Sequence, residues 1–147
     1  MEQLLLTIEE DNKVLLNELL NIKYPIIQGA MANIATASFA ACVSNSGGLG
    51  IIATGSMDAA QTREEIQKCK QLTDQPFGVN VMLMNPYASE IIDVIVEEGV
   101  HVVTTGAGNP GSYMAKLKEA GIKVLPVVPS VGLAKRMERA GADALIV

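Results

Sequence analysis

The fold is decided by residues 76–106, PFGVNVMLMNPYASEIIDVIVEEGVHVVTTG. The near-continuous apolar run Val79–Leu83 predicts a strand buried on both faces, as in a parallel sheet covered by helices. Asn85-Pro86 and Gly99 enclose a helical pattern, with a capping residue before it and a left-handed glycine after it. The apolar run Val100–Val103 then predicts the next strand. The stretch is therefore a complete βαβ unit.

The same unit repeats along the chain. Strand-like runs begin at intervals of 21 to 28 residues, which is the length of one βα unit. Gly47, Gly121 and Gly141 each follow a helical pattern, as Gly99 does, and predict left-handed helix ends. The predicted strands begin near Tyr24, Leu49, Phe77, Val100, Ile122 and Asp143, and the predicted helices span 34–46, 57–72, 87–98, 110–120 and 130–140.

Two α/β architectures fit this repeat, an open doubly wound sheet and a (β/α)8 barrel. A dinucleotide-binding sheet carries Gly-x-Gly-x-x-Gly after its first strand, whereas here the first predicted strand leads into Gly29-Ala30-Met31-Ala32. We therefore expect a parallel (β/α)8 barrel, or TIM barrel. Because closure needs eight strands, six strands and five complete helices would cover only part of it. We expect residues 17–147 to form this partial barrel and residues 1–16 to form a lead-in helix or frayed segment.

Composition disfavours several classes of function. The chain has 147 residues, of which 49% are hydrophobic and 18% charged, as is typical of one globular domain with a buried core. A formal net charge of -5 without basic runs disfavours nucleic acid and anionic membranes as partners. No run reaches the ~20 apolar residues of a membrane span, and the acidic start is unlike a signal peptide. These features predict a cytoplasmic protein.

The amino terminus and the two cysteines have structural interpretations. We expect Val14-Leu15 and Leu19-Leu20 to pack under the first strand as part of an amphipathic lead-in. Cys42 and Cys69 lie in separate helical patterns, without a second cysteine or a histidine at metal-ligand spacing. We expect both cysteines to be reduced and buried, and we expect no metal site.

Unusual residues follow the predicted strands, at the end where parallel α/β arrays bind ligands. Asn80 ends an apolar strand, and its amide needs partners, either structural backbone groups or a planar heteroaromatic ligand. Residues 28–32 have mostly small side chains, which either let the backbone approach a flat ligand or form a tight turn. Residues 104–110 combine hydroxyls, glycines and a helix start, which suit both anion binding and helix capping.

This end of the predicted barrel offers no convincing acid or base. His101 is the single histidine and opens a strand at the opposite end, so we expect a partly buried structural role. A Ser/His/Asp or Cys/His arrangement therefore cannot be assembled. We predict no catalytic side chain.

Several motifs resemble a known family: YPIIQGAMA at 24–32, SNSGGLGII at 44–52, PFGVN at 76–80, VVTTGAGNP at 102–110 and PVVPSV at 126–131. Together they resemble the nitronate monooxygenase/2-nitropropane dioxygenase-like flavoproteins over roughly residues 17–147. The stretches VVTTGAGNP and LAKRM, at 133–137, resemble more narrowly the FMN-dependent enoyl-acyl-carrier-protein reductase II group of bacterial fatty-acid synthesis. Ala30 departs from the pattern, because a second glycine is common there.

The resemblance implies a TIM-barrel domain that binds FMN at its carboxyl-terminal face. NAD(P)H would reduce the flavin, which would pass a hydride to a trans-2-enoyl thioester of acyl-carrier protein, and a homodimer would be compatible with this activity. The family's phosphate-binding glycines would follow Val147, so we expect an amino-terminal part of such an enzyme that by itself retains FMN weakly or not at all. The implied neighbours of the flavin ring are Ala30, Met31, Ala32, Asn80, Thr105 and Gly106.

Two alternatives remain open. One is a nitronate monooxygenase, which would use the same flavin to oxidise alkyl nitronates with O2. The other is a non-catalytic half-barrel module that is stable only when its open edges pair with another chain.

Overall fold

The computed structural model describes residues 14–147, so most of the predicted lead-in at 1–16 lies outside the described residues. Strands and helices alternate along this part of the chain, and none of its helices is long and apolar enough to cross a membrane. In chain order the elements are α1 Leu16–Leu20, α2 Ala37–Asn45, β1 Gly50–Ala53, α3 Ala59–Leu72, β2 Phe77–Met82, α4 Ala88–Glu97, β3 Val102–Gly106, α5 Gly111–Glu119, β4 Lys123–Pro126 and α6 Val131–Arg139.

The strands form one parallel sheet in the order β1-β2-β3-β4. Gly50 of β1 pairs with Phe77, and Val102 of β3 pairs with both Gly78 and Lys123. Neighbouring strands are consecutive in the chain with a helix between each pair. This is the order of a barrel, whereas a doubly wound sheet reverses its order at a switch point. The predicted α/β fold, a part of a TIM barrel, is confirmed.

The predicted number of six strands is wrong for the described residues, which form four. The first and sixth predicted strands are single parallel bridges, Ile27 to Leu49 and Val127 to Ile146. In the first predicted strand the backbone pairing stops after Ile27, because the side-chain oxygen Gln28 Oε1 accepts the hydrogen bond of the Ile51 amide at 2.9 Å. Both flanking segments therefore follow a strand path without continuous backbone pairing.

The five predicted helices are confirmed, with ends that shift by at most three residues. The predicted left-handed glycines are confirmed as well. Gly47, Gly99, Gly121 and Gly141 have φ angles of +97°, +62°, +74° and +91°. Each of them follows the end of a helix in the left-handed conformation, which is unfavourable for residues that have a Cβ atom.

Two apolar clusters lie on opposite faces of the sheet. The larger one packs the outward strand residues, such as Val79 and Val103, against the helices. The smaller one, the inward cluster, lies where a closed barrel has its interior, and α1 and Ile22 pack against it. The buried members of the inward cluster are Leu20, Leu49, Ile51, Val102 and Leu125, none more than 3% exposed.

The packing expected for the lead-in is correct for two residues and wrong for two. Leu19 and Leu20 pack within the inward cluster. Val14 and Leu15 are instead 62% and 57% exposed. The reason is that α1 begins only at Leu16, and Leu15 is its extended N-cap.

Helix α2 approaches β1 so closely that only glycine fits at the first residue of the strand. A Cβ atom on Gly50 would lie 1.9 Å from Ala40 O and 2.6 Å from Ala40 Cα. Ala37, Ala40 and Ala41 form the helix face at this contact and are at most 2% exposed. Small residues on both elements therefore set the distance between helix and sheet.

Glu98 ties the end of α4 to α3. Its carboxylate accepts hydrogen bonds from Lys70 Nζ at 3.0 Å, Gln67 Nε2 at 3.0 Å and Arg63 Nη1 at 2.9 Å. The hydrogen bond from Lys70, followed by the one from Gln67, holds the pKa of Glu98 below its ordinary value. The outer helix pair is thus joined by charge as well as by apolar packing.

Asp143 joins the last described segment to the amino-terminal end of β4. Its Oδ2 accepts hydrogen bonds from the Val124 amide at 2.8 Å and Lys118 Nζ at 2.6 Å, and Lys123 Nζ lies 3.4 Å from Oδ1. Burial raises the pKa of Asp143, but Lys118, the Val124 amide and Lys123 lower it by more, so the pKa lies below its ordinary value. The carboxylate is therefore stabilised in its charged form.

Candidate cofactor site

The inward face of the sheet changes character toward the carboxyl-terminal ends of the strands. The pairing register places Ala53, Asn80 and Thr104 side by side, and Met82 and Gly106 form the next row. Asn80 Nδ2 donates a hydrogen bond to Thr104 Oγ1 at 2.9 Å. On the inward face, the apolar cluster therefore gives way to small and polar residues toward the carboxyl-terminal ends of the strands.

A cavity of about 210 Å³ opens at these rows. Its lining carries no charged side chain and consists mainly of alanines and glycines with one side-chain amide, and we call this cavity the slot. The lining residues are Ala30, Ala32, Ala53, Gly55, Asn80, Met82, Gly106 and Ala107.

The cavity brings together four of the six residues predicted to contact a cofactor, namely Ala30, Ala32, Asn80 and Gly106. The other two do not line it. Met31 is 38% exposed in the loop before α2, and Thr105 is 1% exposed. The cofactor role of all six remains a prediction. Four further lining residues, at positions 53, 55, 82 and 107, are not among the six predicted to contact a cofactor, although position 107 lies in the candidate loop 104–110.

Thr104, not Thr105, lies beside Asn80 on the inward face. Thr105 pairs with Val81, which belongs to the outward cluster, and side chains alternate between faces along a strand. The alternation of side chains within β3 identifies Thr104 as the inward residue only once the register is known, because the register pairs Thr104 with Asn80.

Two loops border the cavity and are joined to each other by side chains. Thr54 Oγ1 donates a hydrogen bond to Asn80 O at 2.8 Å. Asn85 Nδ2 donates to Thr54 O at 3.1 Å and to Met57 O at 2.9 Å, and Asn85 Oδ1 accepts from the Tyr87 amide at 2.9 Å. The loops after β1 and β2 are therefore held in a defined relation to the strand end at Asn80.

Asn85-Pro86 and Asn109-Pro110 each predict a capping asparagine followed by a proline at the first helical position, and this prediction is wrong for both pairs. Helix α4 begins at Ala88 and α5 at Gly111, after Pro86 and Pro110. Each asparagine oxygen accepts a hydrogen bond from the amide two residues later, at 2.9 Å in both turns. The prolines lie ahead of the first helical residue because this turn precedes the helix.

The loop after β3 has uncommon backbone conformations beside the cavity. Ala107 has φ +54° and Gly108 has φ +156°. A Cβ atom on Gly108 would lie 2.8 Å from Leu83 Cβ, so this loop packs directly on the loop after β2. The backbone as well as the side chains shapes this wall.

The residues around the cavity fit a flavin ring. The described hydrogen bonds of the Asn80 side chain use one N–H, which leaves its Oδ1 and its second N–H for the polar edge of a ligand. The alanines allow a flat ring face to approach the backbone closely. A Cβ atom on Gly106 would meet nothing within 4 Å, so the slot has free space at that position.

Among the described residues, His101 and the two cysteines lie away from the lining of this cavity. His101 is exposed at the amino-terminal end of β3, so the expected partial burial is wrong. Burial raises the pKa of the Cys69 thiol to about 12, which keeps it protonated and unreactive. The expected burial of Cys42 is also wrong, because it lies off the buried face of α2. Within residues 14–147 no group of three or more His, Cys, Asp or Glu side chains could hold a metal ion.

The partial barrel and the uncharged slot at its carboxyl-terminal face suit a flavin-binding barrel protein. A family model agrees with this class. The model of the nitronate monooxygenase family matches residues 13–147. The chain belongs to this family of flavoprotein oxidoreductases. The resemblance seen in the motifs is confirmed, and the match begins at residue 13 instead of residue 17.

Particular members of the family are similar to most of this chain. FabK from Thermotoga maritima is 51% identical with a TM-score of 0.87, covering 88% of this chain and 42% of that chain. An octahydro-indene-carboxyl-CoA dehydrogenase of Mycobacterium tuberculosis is 36% identical, covering 90% of this chain and 37% of the relative. A probable nitronate monooxygenase of Staphylococcus aureus is 34% identical, with coverages of 92% and 48%. The chain thus spans less than half the length of these relatives.

Proposed function

We propose that this chain forms the flavin-ring side of an FMN-dependent enoyl-acyl-carrier-protein reductase. The observation that carries the proposal is its 51% identity to FabK, which is enoyl-acyl-carrier-protein reductase II, over 88% of the chain. In this proposal NAD(P)H is the reductant. The substrate is a trans-2-enoyl thioester carried by acyl-carrier protein.

The residues of the cavity would bind and orient the cofactor. Asn80 would hydrogen-bond the polar edge of the ring, and Thr104, by accepting one N–H of Asn80, would fix which amide atoms face the ligand. Ala30 and Ala32 would lie along the ring. Bound flavin supplies hydride-transfer chemistry that no side chain of this cavity offers.

The lining of the cavity favours a neutral, apolar substrate. Its residues include no charged side chain, whereas an alkyl nitronate is an anion. Met82 ends β2, Met84 and Tyr87 lie in the loop that follows it, and the three side chains are 38%, 74% and 50% exposed. Flexible methionine side chains adapt to apolar groups, which suits the hydrocarbon chain of an enoyl thioester.

Nitronate oxidation with O2 is the second candidate function. The description of the matching family model and the similarity to the Staphylococcus aureus relative favour it. Both candidate reactions use the same cofactor, so flavin binding alone does not separate them.

The purified chain, supplied with excess FMN, provides the test. NAD(P)H consumption with a crotonyl thioester is compared with oxygen uptake with an alkyl nitronate. FMN binding is followed in parallel by quenching of flavin fluorescence, and heat-denatured chain is the control.

If the chain catalyses one of the two reactions, thioester-dependent NAD(P)H consumption is the expected one. Nitronate-dependent oxygen uptake without it would overturn the reductase proposal in favour of the oxidase. A chain that binds FMN but catalyses neither reaction would show that this part of the barrel binds the flavin without being catalytic by itself. A chain that does not quench FMN fluorescence would refute the assignment of the cavity.

A further inference from the structure

Asn85 uses both ends of its side-chain amide while only 8% exposed. Its Oδ1 accepts a hydrogen bond from the Tyr87 amide within its own loop. Its Nδ2 donates across to the loop after β1, where Thr54 O and Met57 O are the acceptors. With three hydrogen bonds, including both N–H donors, the buried amide is nearly saturated. Its position relative to both loops is therefore closely determined.

These two loops carry adjoining parts of the cavity lining. Gly55 lies between the acceptors Thr54 and Met57 and lines the cavity together with Met82. A Cβ atom on Gly55 would lie 3.3 Å from Met82 Sδ, so the two residues are neighbours. The backbone amide of Asn85 donates to Met82 O at 2.9 Å. Asn85 is thus hydrogen-bonded both to the residues that flank Gly55 and to Met82 itself.

The same network reaches the amide that faces the slot. Thr54 donates to Asn80 O twice, from Oγ1 at 2.8 Å and from its backbone N at 3.3 Å. Because Asn85 holds Thr54 O, a displacement of this loop would also disturb the hydrogen bonds at Asn80. The contacts of Asn85 therefore affect a cavity that its own side chain does not line.

We propose that Asn85 is a positioning residue that fixes how Gly55 and Met82 line the slot for a flavin ring. It does so by holding Thr54 and Met57 against the loop after β2. This inference rests on the proposed function, since it takes the flavin ring as the ligand. Asn85 acts through Gly55, Met82 and the strand end at Asn80.

Asn109 supplies a matched control within the same chain. It also precedes a proline, and its Oδ1 also accepts the amide two residues later at 2.9 Å. Asn109 is exposed, and its hydrogen bonds among the described residues stay within its own turn. A change that preserves the turn but removes the amide donors should therefore matter only at Asn85.

The experiment compares Asn85→Asp with Asn109→Asp in the full chain. Aspartate keeps an oxygen to accept the turn amide but has no N–H to donate, and at Asn85 it would face two carbonyl oxygens. Amide hydrogen exchange, resolved by NMR, reports on Thr54, Met57 and Tyr87. Quenching of lumiflavin fluorescence reports on the slot, because lumiflavin has the ring without the phosphate. Thermal unfolding of each variant is recorded alongside.

In Asn85→Asp we expect faster exchange at Thr54 and Met57, with Tyr87 still protected because the turn persists. We expect lumiflavin to bind on the order of tenfold more weakly, the size of losing about one buried hydrogen bond. Asn109→Asp should change neither measurement. If Asn85→Asp does not fold, the same readouts on Asn85→Ser, which keeps a shorter uncharged acceptor, decide the question.

Unchanged exchange at Thr54 and Met57 would overturn the proposal. So would faster exchange with unchanged lumiflavin affinity, since Asn85 would then be a purely structural residue, and so would an equal loss of affinity in Asn109→Asp. All three outcomes leave the proposed function standing. A wild-type chain that does not bind lumiflavin would instead refute the proposed function, and this inference with it.

Discussion

At the amino-terminal ends of the strands the inward side chains are Leu49, Ile51 and Val102, each at most 1% exposed. At the carboxyl-terminal ends the same face presents Asn80, Met82 and Gly106 around an open cavity. Both ends belong to one parallel sheet and differ only in the side chains that the alternation brings inward. One end is packed for stability, whereas the other keeps space and hydrogen-bonding groups available for a ligand.

This difference makes a separable prediction for each end. Substitutions at the amino-terminal end should lower the free energy of unfolding and leave ligand affinity unchanged in the folded molecules. Substitutions at the carboxyl-terminal end should weaken ligand binding and leave the free energy of unfolding nearly unchanged.

The largest effect is expected for Gly50→Ala, at the amino-terminal end of β1. The new methyl group would overlap Ala40 O, a backbone atom that cannot move without shifting α2. We expect a loss of about 3–5 kcal/mol in the free energy of unfolding, or no folded protein. Urea unfolding measures it, and Gly106→Ala is the matched control. Gly106→Ala should lower the free energy of unfolding by less than about 1 kcal/mol, because a Cβ atom on Gly106 would meet nothing within 4 Å. Equal costs at the two glycines would contradict the comparison.

Asp143→Asn should cost about 2–3 kcal/mol, because a largely buried carboxylate with two lysine partners becomes neutral. The pKa of Asp143 is lower in the folded state than the ordinary 3.8. Its contribution to stability is therefore fully present above the ordinary value. It is lost as the pH falls through 3.8 toward the lower folded pKa.

Unfolding midpoints of wild type and Asp143→Asn, measured from pH 7 down to about pH 2, test this sign. The gap between them should narrow only on the acidic side. A gap that stays constant down to the lowest pH would show that the charge of Asp143 does not contribute.

At the carboxyl-terminal end, Asn80→Leu should weaken flavin binding by about 1–3 kcal/mol, because the polar edge of the ring loses its partner. The measurement pairs lumiflavin titration with thermal unfolding of the apoprotein. A lowered unfolding midpoint with unchanged affinity would assign Asn80 a structural role and break the contrast between the two ends.

The smallest effect is expected for a neighbouring pair of threonines. Thr104→Val removes the acceptor that orients the Asn80 amide and should weaken lumiflavin binding by about 0.5–1.5 kcal/mol. Thr105→Val alters the outward face and should leave the affinity unchanged. A larger loss of affinity at Thr105 than at Thr104 would show that the register does not determine the ligand-facing side.

Much of the fold could be predicted because its signals are local. Helix spans follow from apolar spacing, and the left-handed ends at Gly47, Gly99, Gly121 and Gly141 need only a glycine after a helical pattern. The position of Asn80 at the ligand-binding end follows from the direction of a parallel strand. Ala30 and Gly106 were placed correctly beside the cavity for the same reason, although their contact with a cofactor remains a prediction.

Other parts of the site could not be predicted, because they depend on register and on approach between distant segments. The choice between Thr104 and Thr105 depends on which residue of β3 pairs with Asn80. The first predicted strand loses its ladder because Gln28 Oε1 takes the Ile51 amide. Asn85 looks like a helix cap in the sequence, and only the structure shows that it reaches Thr54, 31 residues away.

The sequence by itself determined the βα repeat, the parallel barrel class, the helix ends and the end of the sheet that holds the candidate site. These properties follow from hydrogen bonds over a few residues and from apolar periodicity, so each segment encodes them alone. Only the tertiary structure decided which side chains share the cavity, how closely Ala40 approaches Gly50, and which loops Asn85 joins. Those contacts link separate βα units, and their distances are set by how the units pack side by side.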